Sequence, residues 1–229
     1  MINPFEKDIA ALEALILSGF SEEEKSTLRK AIALSKELHD GQRYKEPDEL
    51  YLPHTFRVPA VLVQDFGVRD INLIVSGLLH DTIEDQPERT AKYSSIEEKD
   101  VKVKARNAIE VLFNHEVAEI VWGLSNPPIY YKARNQEEKI RLYQENITEE
   151  LKNPAIYCVK LADLQDNWPT INDNVSSERR LYAARKYIDS FDKFIQKLDG
   201  NKYIASSRKA DILKMLDDGK RQLSAVIKA

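Results

Sequence analysis

The apolar residues of this chain recur mostly at the three- and four-residue spacing of helices. Leu28, Ile32, Ala33 and Leu38 fall broadly along one helical face. Only seven glycines occur in 229 residues, and the chain reads as all-α. Helices are expected over 5–17, 21–39, 54–66, 70–82, 96–113, 115–124, 135–151, 153–166, 177–198 and 206–226. Ser21 and Glu24 have the spacing of a capping box. Gly19, Gly41 and Gly67 stand where three helices should stop, and Asp70 where the next should start. Asn126-Pro127-Pro128 breaks the chain, and a loop is expected over 44–53 around Pro47 and Pro53.

Composition removes several function classes. Hydrophobic residues make up 42% and charged residues 31%, as in a globular protein. No apolar run approaches the roughly 20 residues of a membrane span. The first residues lack a basic segment leading into an apolar core, so no secretory signal is expected. A net charge of −4 argues against general nucleic-acid binding, although an anionic small molecule stays open. The single cysteine, Cys158, sits in an apolar run and reads as a buried thiol in a reducing, cytoplasmic compartment.

One stretch carries more chemistry than a core needs. The apolar run over 71–79 ends in His80-Asp81, with Glu84 and Asp85 following within about a turn. Neighbouring side chains on a helix diverge by about 100°. Both can therefore reach one ion only where the helix is irregular or the ion lies in the wedge between them. Such a cluster at a buried helix end is costly unless a cation or hydrogen bonds compensate it, and a hydrogen-bonded helix terminus is the plain alternative. His54 follows a proline at an expected helix start, and Asp163 lies beyond an apolar approach that reads as core. Two imidazoles and two carboxylates make a nitrogen and oxygen site suited to Mn²⁺, Fe²⁺ or Zn²⁺. The absence of thiolates disfavours structural zinc. Such a site leaves room for water and substrate oxygen, the setting for metal-assisted phosphoryl hydrolysis.

Four separated segments, in order, resemble the hydrolase domain of RelA/SpoT-type alarmone enzymes. Ala31-Ile32-Ala33-Leu34-Ser35-Lys36-Glu37-Leu38-His39-Asp40-Gly41-Gln42 is similar to its opening, and Pro53-His54 to its first histidine. Gly77-Leu78-Leu79-His80-Asp81-Thr82-Ile83-Glu84-Asp85 is similar to its His-Asp motif with trailing Glu-Asp. Lys160-Leu161-Ala162-Asp163 with Asn167 resembles its last ligand motif. Residues 117–125 resemble an intervening helix more loosely.

The resemblance implies an HD-domain helical bundle over 25–175, with helical extensions over 1–24 and 176–229, the latter packing on the core. It implies an enzyme that hydrolyses the 3′-pyrophosphate of guanosine tetra- and pentaphosphate, (p)ppGpp, with Mn²⁺ or a related divalent metal. His54, His80, Asp81 and Asp163 would be the metal ligands. Glu84 and Asp85 would orient or deprotonate the attacking water. Lys160 and Asn167 would border the site, and Arg43, Tyr44 and Lys45 would face the nucleotide. So few residues follow position 175 that no second, synthetase domain is expected.

Two departures bear on the substrate. Tyr44 stands where the family usually carries an arginine, and Thr55 where it carries proline. Another phosphorylated nucleotide, such as NADPH, therefore stays open, as does a nucleotide-sensing module without turnover. Lys132, Arg134, Lys139 and Arg141 are either a phosphate clamp or, with Glu137, Glu138 and Glu145 among them, a solvated helix face. His39 reads as a hydrogen-bonded support, His115 as a cap or surface residue, and Trp122 and Trp168 as packing residues. The last two helices could pack on the core or join two copies of the chain.

Overall fold

The computed structural model describes the chain except residues 5, 45–48, 174, 175 and 229 and the side chains of 172 and 173. It is all-α. The helices are α1 (Ile9–Leu17), α2 (Glu22–Leu38), α3 (Leu52–Gln64), α4 (Ile71–Leu79), α5 (Thr82–Asp85), α6 (Pro87–Thr90), α7 (Val101–Leu112), α8 (His115–Leu124), α9 (Gln136–Glu150), α10 (Pro154–Asn167), α11 (Ser177–Leu198) and α12 (Lys209–Lys228). Among the described residues the sole extended pairing is an isolated antiparallel bridge between Arg43 and Leu50.

Three helices form the centre. Every residue of α3 from Pro53 to Val63 is buried, as is every residue of α4 from Leu73 to Leu79. In α10 the buried run extends from Ala155 to Ala162. Helices apolar on all sides must be enclosed by others, and α3 is packed by α1, α4 and α10, while α4 also meets α2 and α8. The active-site ligands expected from the sequence sit at the ends of these central helices.

Two expected helices begin late, for one physical reason. Before α1, the Glu6 carboxylate accepts the N–H groups of Lys7 and Asp8, and Asp8 then caps Ala10 and Ala11. Before α7, Glu98 accepts from Lys99 and Asp100, and Asp100 caps Lys102 and Val103. Short-range bonds from acidic side chains to the backbone compete with the helix that the apolar spacing favours. Conversely, α3 begins earlier than expected, because Pro53 is accommodated in its first turn, where the missing N–H is no loss.

The C-terminal pair, α11 and α12, packs together, and α11 also lies on α9 and on the turn at Trp168–Asp173. Gly219 makes the close approach. A Cβ there would stand 2.5 Å from Phe191 Cε1 and 3.1 Å from Trp168 Cε2.

Candidate active site

The expected helix over 70–82 stops short, and the interruption builds the site. Leu79 ends α4, and α5 begins at Thr82. Between them Asp81 adopts φ −99°, ψ 0°, a sparsely used backbone region frequent at active sites. The break lets adjacent side chains converge, with His80 Nε2 only 2.8 Å from Asp81 Oδ2.

Two further helix segments complete the cluster. His54, in the first turn of α3, brings its Nε2 to 3.1 Å from His80 Nε2 and 3.5 Å from Asp81 Oδ2. Asp163, on α10, places Oδ1 3.4 Å from His54 Nε2 and 3.9 Å from His80 Nε2. Both imidazoles are buried. Their other nitrogens are engaged: His80 Nδ1 donates to the Gly77 carbonyl at 2.9 Å, and His54 Nδ1 to Asp166 Oδ2 at 2.7 Å. In the neutral rings both Nε2 lone pairs therefore point into a space otherwise faced by carboxylate oxygens.

Acceptors crowded in this way need a shared positive charge. For metal–ligand bonds of about 2.1 Å, neighbouring ligand atoms stand about 3.0 Å apart in octahedral and about 3.4 Å apart in tetrahedral geometry. The observed separations of 2.8–3.9 Å bracket those values. His54, His80 and Asp81 form a group that can hold a metal ion, and the donor set contains no thiolate.

A cleft of about 210 Å³ opens over the cluster, lined in part by Glu84, Asp85, Asn126, Lys160, Asp163 and Asn167. Glu84 is fixed by Asn126, whose backbone N–H and side-chain amide both donate to it at 3.0–3.1 Å. Asp85 accepts from Gln42 Nε2 at 2.8 Å. Burial, reinforced by the charge on Asp81, raises its carboxyl to about 7. Gly41 makes this contact feasible: its φ of +72° turns the chain after α2 so that Gln42 reaches both Asp85 and His39. Asn167 donates to Asp163 Oδ1 at 2.5 Å, and the Lys160 ammonium stands 3.9 Å from Asp163 Oδ2.

Other expected residues lie elsewhere. Arg43 is exposed. Tyr44 packs its ring 4.8 Å from that of Tyr51 and edge-on to His54, and it is not among the described residues lining the cleft. Lys45 lies outside the described residues. Arg134 pairs with Glu138 and Arg141 with Glu145, the pattern of a solvated face. His39 is buried and bonded to Gln42, His115 is exposed beside Glu110, and Trp168 is packed against Phe191.

Sequence reasoning missed several contributors. Tyr51 donates its hydroxyl to Asp81 Oδ2. Lys186 and Tyr187, from α11, line the same cleft as the acidic cluster. The Lys186 ammonium lies 4.4 Å from the Tyr143 ring, 5.0 Å from Tyr187 and 5.9 Å from Tyr130. Burial, aided by the charge of Lys160, lowers its pKa. Nothing near Lys186 in sequence marks it, since the rest of the cluster lies at least 19 residues upstream. Arg57 and Asp166 were also missed, although each stands three residues after an expected ligand.

No protein-family model matches the chain. It is 25% identical over 188 residues to the bifunctional (p)ppGpp synthase/hydrolase SpoT of Escherichia coli K12, covering 82% of this chain and 24% of that protein. It is 24% identical over 176 residues to the guanosine-3′,5′-bis(diphosphate) 3′-pyrophosphohydrolase MESH1 of Danio rerio, covering 76% of this chain and 86% of that one. A solved metazoan ortholog of SpoT that hydrolyses ppGpp superposes with a TM-score of 0.58 at 21% identity, over 86% of this chain and 95% of that one. The fold is that of the RelA/SpoT-type hydrolases. This chain spans about a quarter of the length of the bacterial relative, but most of the length of the stand-alone one.

Proposed function

We propose that this chain is a divalent-metal-dependent phosphohydrolase that removes the 3′-pyrophosphate of (p)ppGpp. The observation that carries the reading is the convergence of two imidazole lone pairs and two carboxylates beneath a cleft whose wall bears Glu84 and Asp85. His54, His80, Asp81 and Asp163 would hold the ion, and Mn²⁺ suits their mixed nitrogen and oxygen donors. The ion supplies Lewis acidity toward water and phosphoryl oxygen.

The protein's own groups account for the rest. Releasing pyrophosphate breaks the bond between phosphorus and the ribose 3′-oxygen. The attacking water loses a proton, and the leaving oxygen gains one. Asp85, with a carboxyl raised to about 7, is matched to carrying a proton at neutral pH. Glu84, immobilised by Asn126, orients the water. Lys160 and Lys186 face the cleft from α10 and α11 and would bind the substrate's phosphates. Asn167 would act through Asp163, which its amide holds. Arg43 and Tyr44, in the segment before α3, would face the nucleotide, and Lys45 lies outside the described residues.

A second reading keeps the chemistry and changes the nucleotide, NADPH being one choice. It is favoured by Tyr44, which brings no charge where the family that the chain resembles usually has arginine and is packed on Tyr51. A reducing, cytoplasmic setting fits the buried free thiol of Cys158, and no helix among the described residues is long and apolar enough to cross a membrane. The test is purified protein with Mn²⁺ against ppGpp, NADPH and simple nucleoside phosphates. Release of GDP and pyrophosphate from ppGpp is expected. Turnover of another nucleotide alone would favour the second reading. No turnover by metal-loaded protein would leave a nucleotide sensor as the better account.

A further inference from the structure

The Asp166 carboxylate is buried, 3% exposed, and receives three hydrogen bonds from α3. His54 Nδ1 donates to Oδ2 at 2.7 Å, Arg57 Nε to Oδ1 at 2.6 Å and Arg57 Nη2 to Oδ2 at 2.9 Å. The two helices match in register. His54 and Arg57 are one turn apart on α3, and Asp163 and Asp166 are one turn apart on α10, so each pair shares a face. Each helix thus presents a cluster donor and, one turn on, half of a guanidinium–carboxylate pair. The third arm of Arg57 is also committed, with Nη1 donating to the Glu6 carbonyl at 3.0 Å.

We propose that Asp166, locked by Arg57, is the positioning residue that fixes His54 as the Nδ1–H tautomer and aims its Nε2 lone pair at the cation. A bidentate guanidinium leaves the carboxylate acceptor-only and unable to rotate, so the ring proton must sit on Nδ1. Because Arg57 cancels the charge of Asp166, the pair adds orientation and basicity to His54 without adding net charge to the site. His80 has a weaker arrangement, its Nδ1 bonded to the neutral Gly77 carbonyl. Of the two histidines, His54 is therefore the one whose geometry depends on a single side-chain partner. A carboxylate behind a metal-bound histidine commonly contributes 10–100-fold in affinity.

The inference rests on the reading of the four donors as a cation site, not on any nucleotide. The test is Mn²⁺ binding, followed by the loss of the free-ion resonance signal, for wild type and Asp166→Asn. Folding is checked by circular dichroism and thermal melting. Affinity should fall about 10–100-fold in the folded variant. Nitrogen-15 spectra of the histidine rings in metal-free wild type, at a pH where His54 is neutral, should show His54 protonated on Nδ1, a readout that needs no variant. Equal Mn²⁺ affinity in wild type and a folded Asp166→Asn, or a wild-type His54 protonated on Nε2, would overturn the proposal while leaving the cation site standing. Wild-type protein that takes up no Mn²⁺, Fe²⁺ or Zn²⁺ would overturn both.

Discussion

Glu84 and Asp85 share one cleft but are held differently, and the difference separates their roles. Asn126 fixes Glu84 through two donors, whereas Asp85 has the single Gln42 amide and a carboxyl near 7. Glu84→Gln should keep the metal and lower kcat by about 10²-fold, the cost of a misplaced reacting group. Wild-type turnover in that variant would remove Glu84 from the chemistry. Lys186→Met should raise KM with metal affinity unchanged, since a charged hydrogen bond is worth about 1.5–3 kcal/mol, or roughly 10–100-fold. His39 gives a pH signature. Burial lowers its folded pKa to about 4, against about 6.5 in the unfolded chain. Between these values the unfolded chain takes up a proton that the folded one refuses. The contribution is intact above about pH 6.5 and is lost as pH falls toward 4, amounting to about 2 kcal/mol between pH 7 and 5. Urea unfolding at those two pH values should show wild type losing about that much more stability than His39→Gln. The four converging side chains, His54, His80, Asp81 and Asp163, were legible because each sits in a short segment of distinctive residues. Arg57 and Asp166 carried a signal that went unused, their three-residue spacing from His54 and Asp163. Tyr51 carried none, because a tyrosine two residues before a proline has many uses.

At the level of elements, apolar periodicity located the helices well, since a buried stripe requires that spacing whatever surrounds it. The starts of α1 and α7 were misplaced because Glu6 and Glu98 draw backbone N–H groups to themselves, an effect that no periodicity contains. The break at His80-Asp81 was legible only as a condition, since two neighbours can share an ion only off a regular helix. The role of α11 was hidden, because its link to the cleft is purely tertiary. That role makes the packing of α12 matter to the site. Gly219→Val would drive side-chain carbon into Phe191 and Trp168. Overpacking of this kind costs about 1–3 kcal/mol, and at this chain length the melting temperature should fall by roughly 5 °C. Calorimetry checks the fall. An unchanged Tm would mean that α11 and α12 separate freely.

For the whole molecule, a cluster of facing acceptors that holds a cation would make cation binding part of folding. Stripping the metal with chelator should lower Tm, and adding Mn²⁺ at about 100 times its Kd should restore roughly 2.7 kcal/mol. A melting curve indifferent to both treatments would deny the cluster its ion. The contact between Arg57 and Glu6 has a different consequence. Because Arg57 grips a backbone carbonyl, the side chain at position 6 is irrelevant to it. The segment is pinned on both sides, by the Ile2 N–H on Asp65 at 2.8 Å and by Asp8 capping α1. Replacing the Glu6 side chain would leave that bond in place, whereas inserting or deleting one residue between Ile2 and Glu6 would shift the carbonyl by about 3.5 Å and withdraw it from Arg57. For this bond the length of the stretch matters more than the letter at position 6.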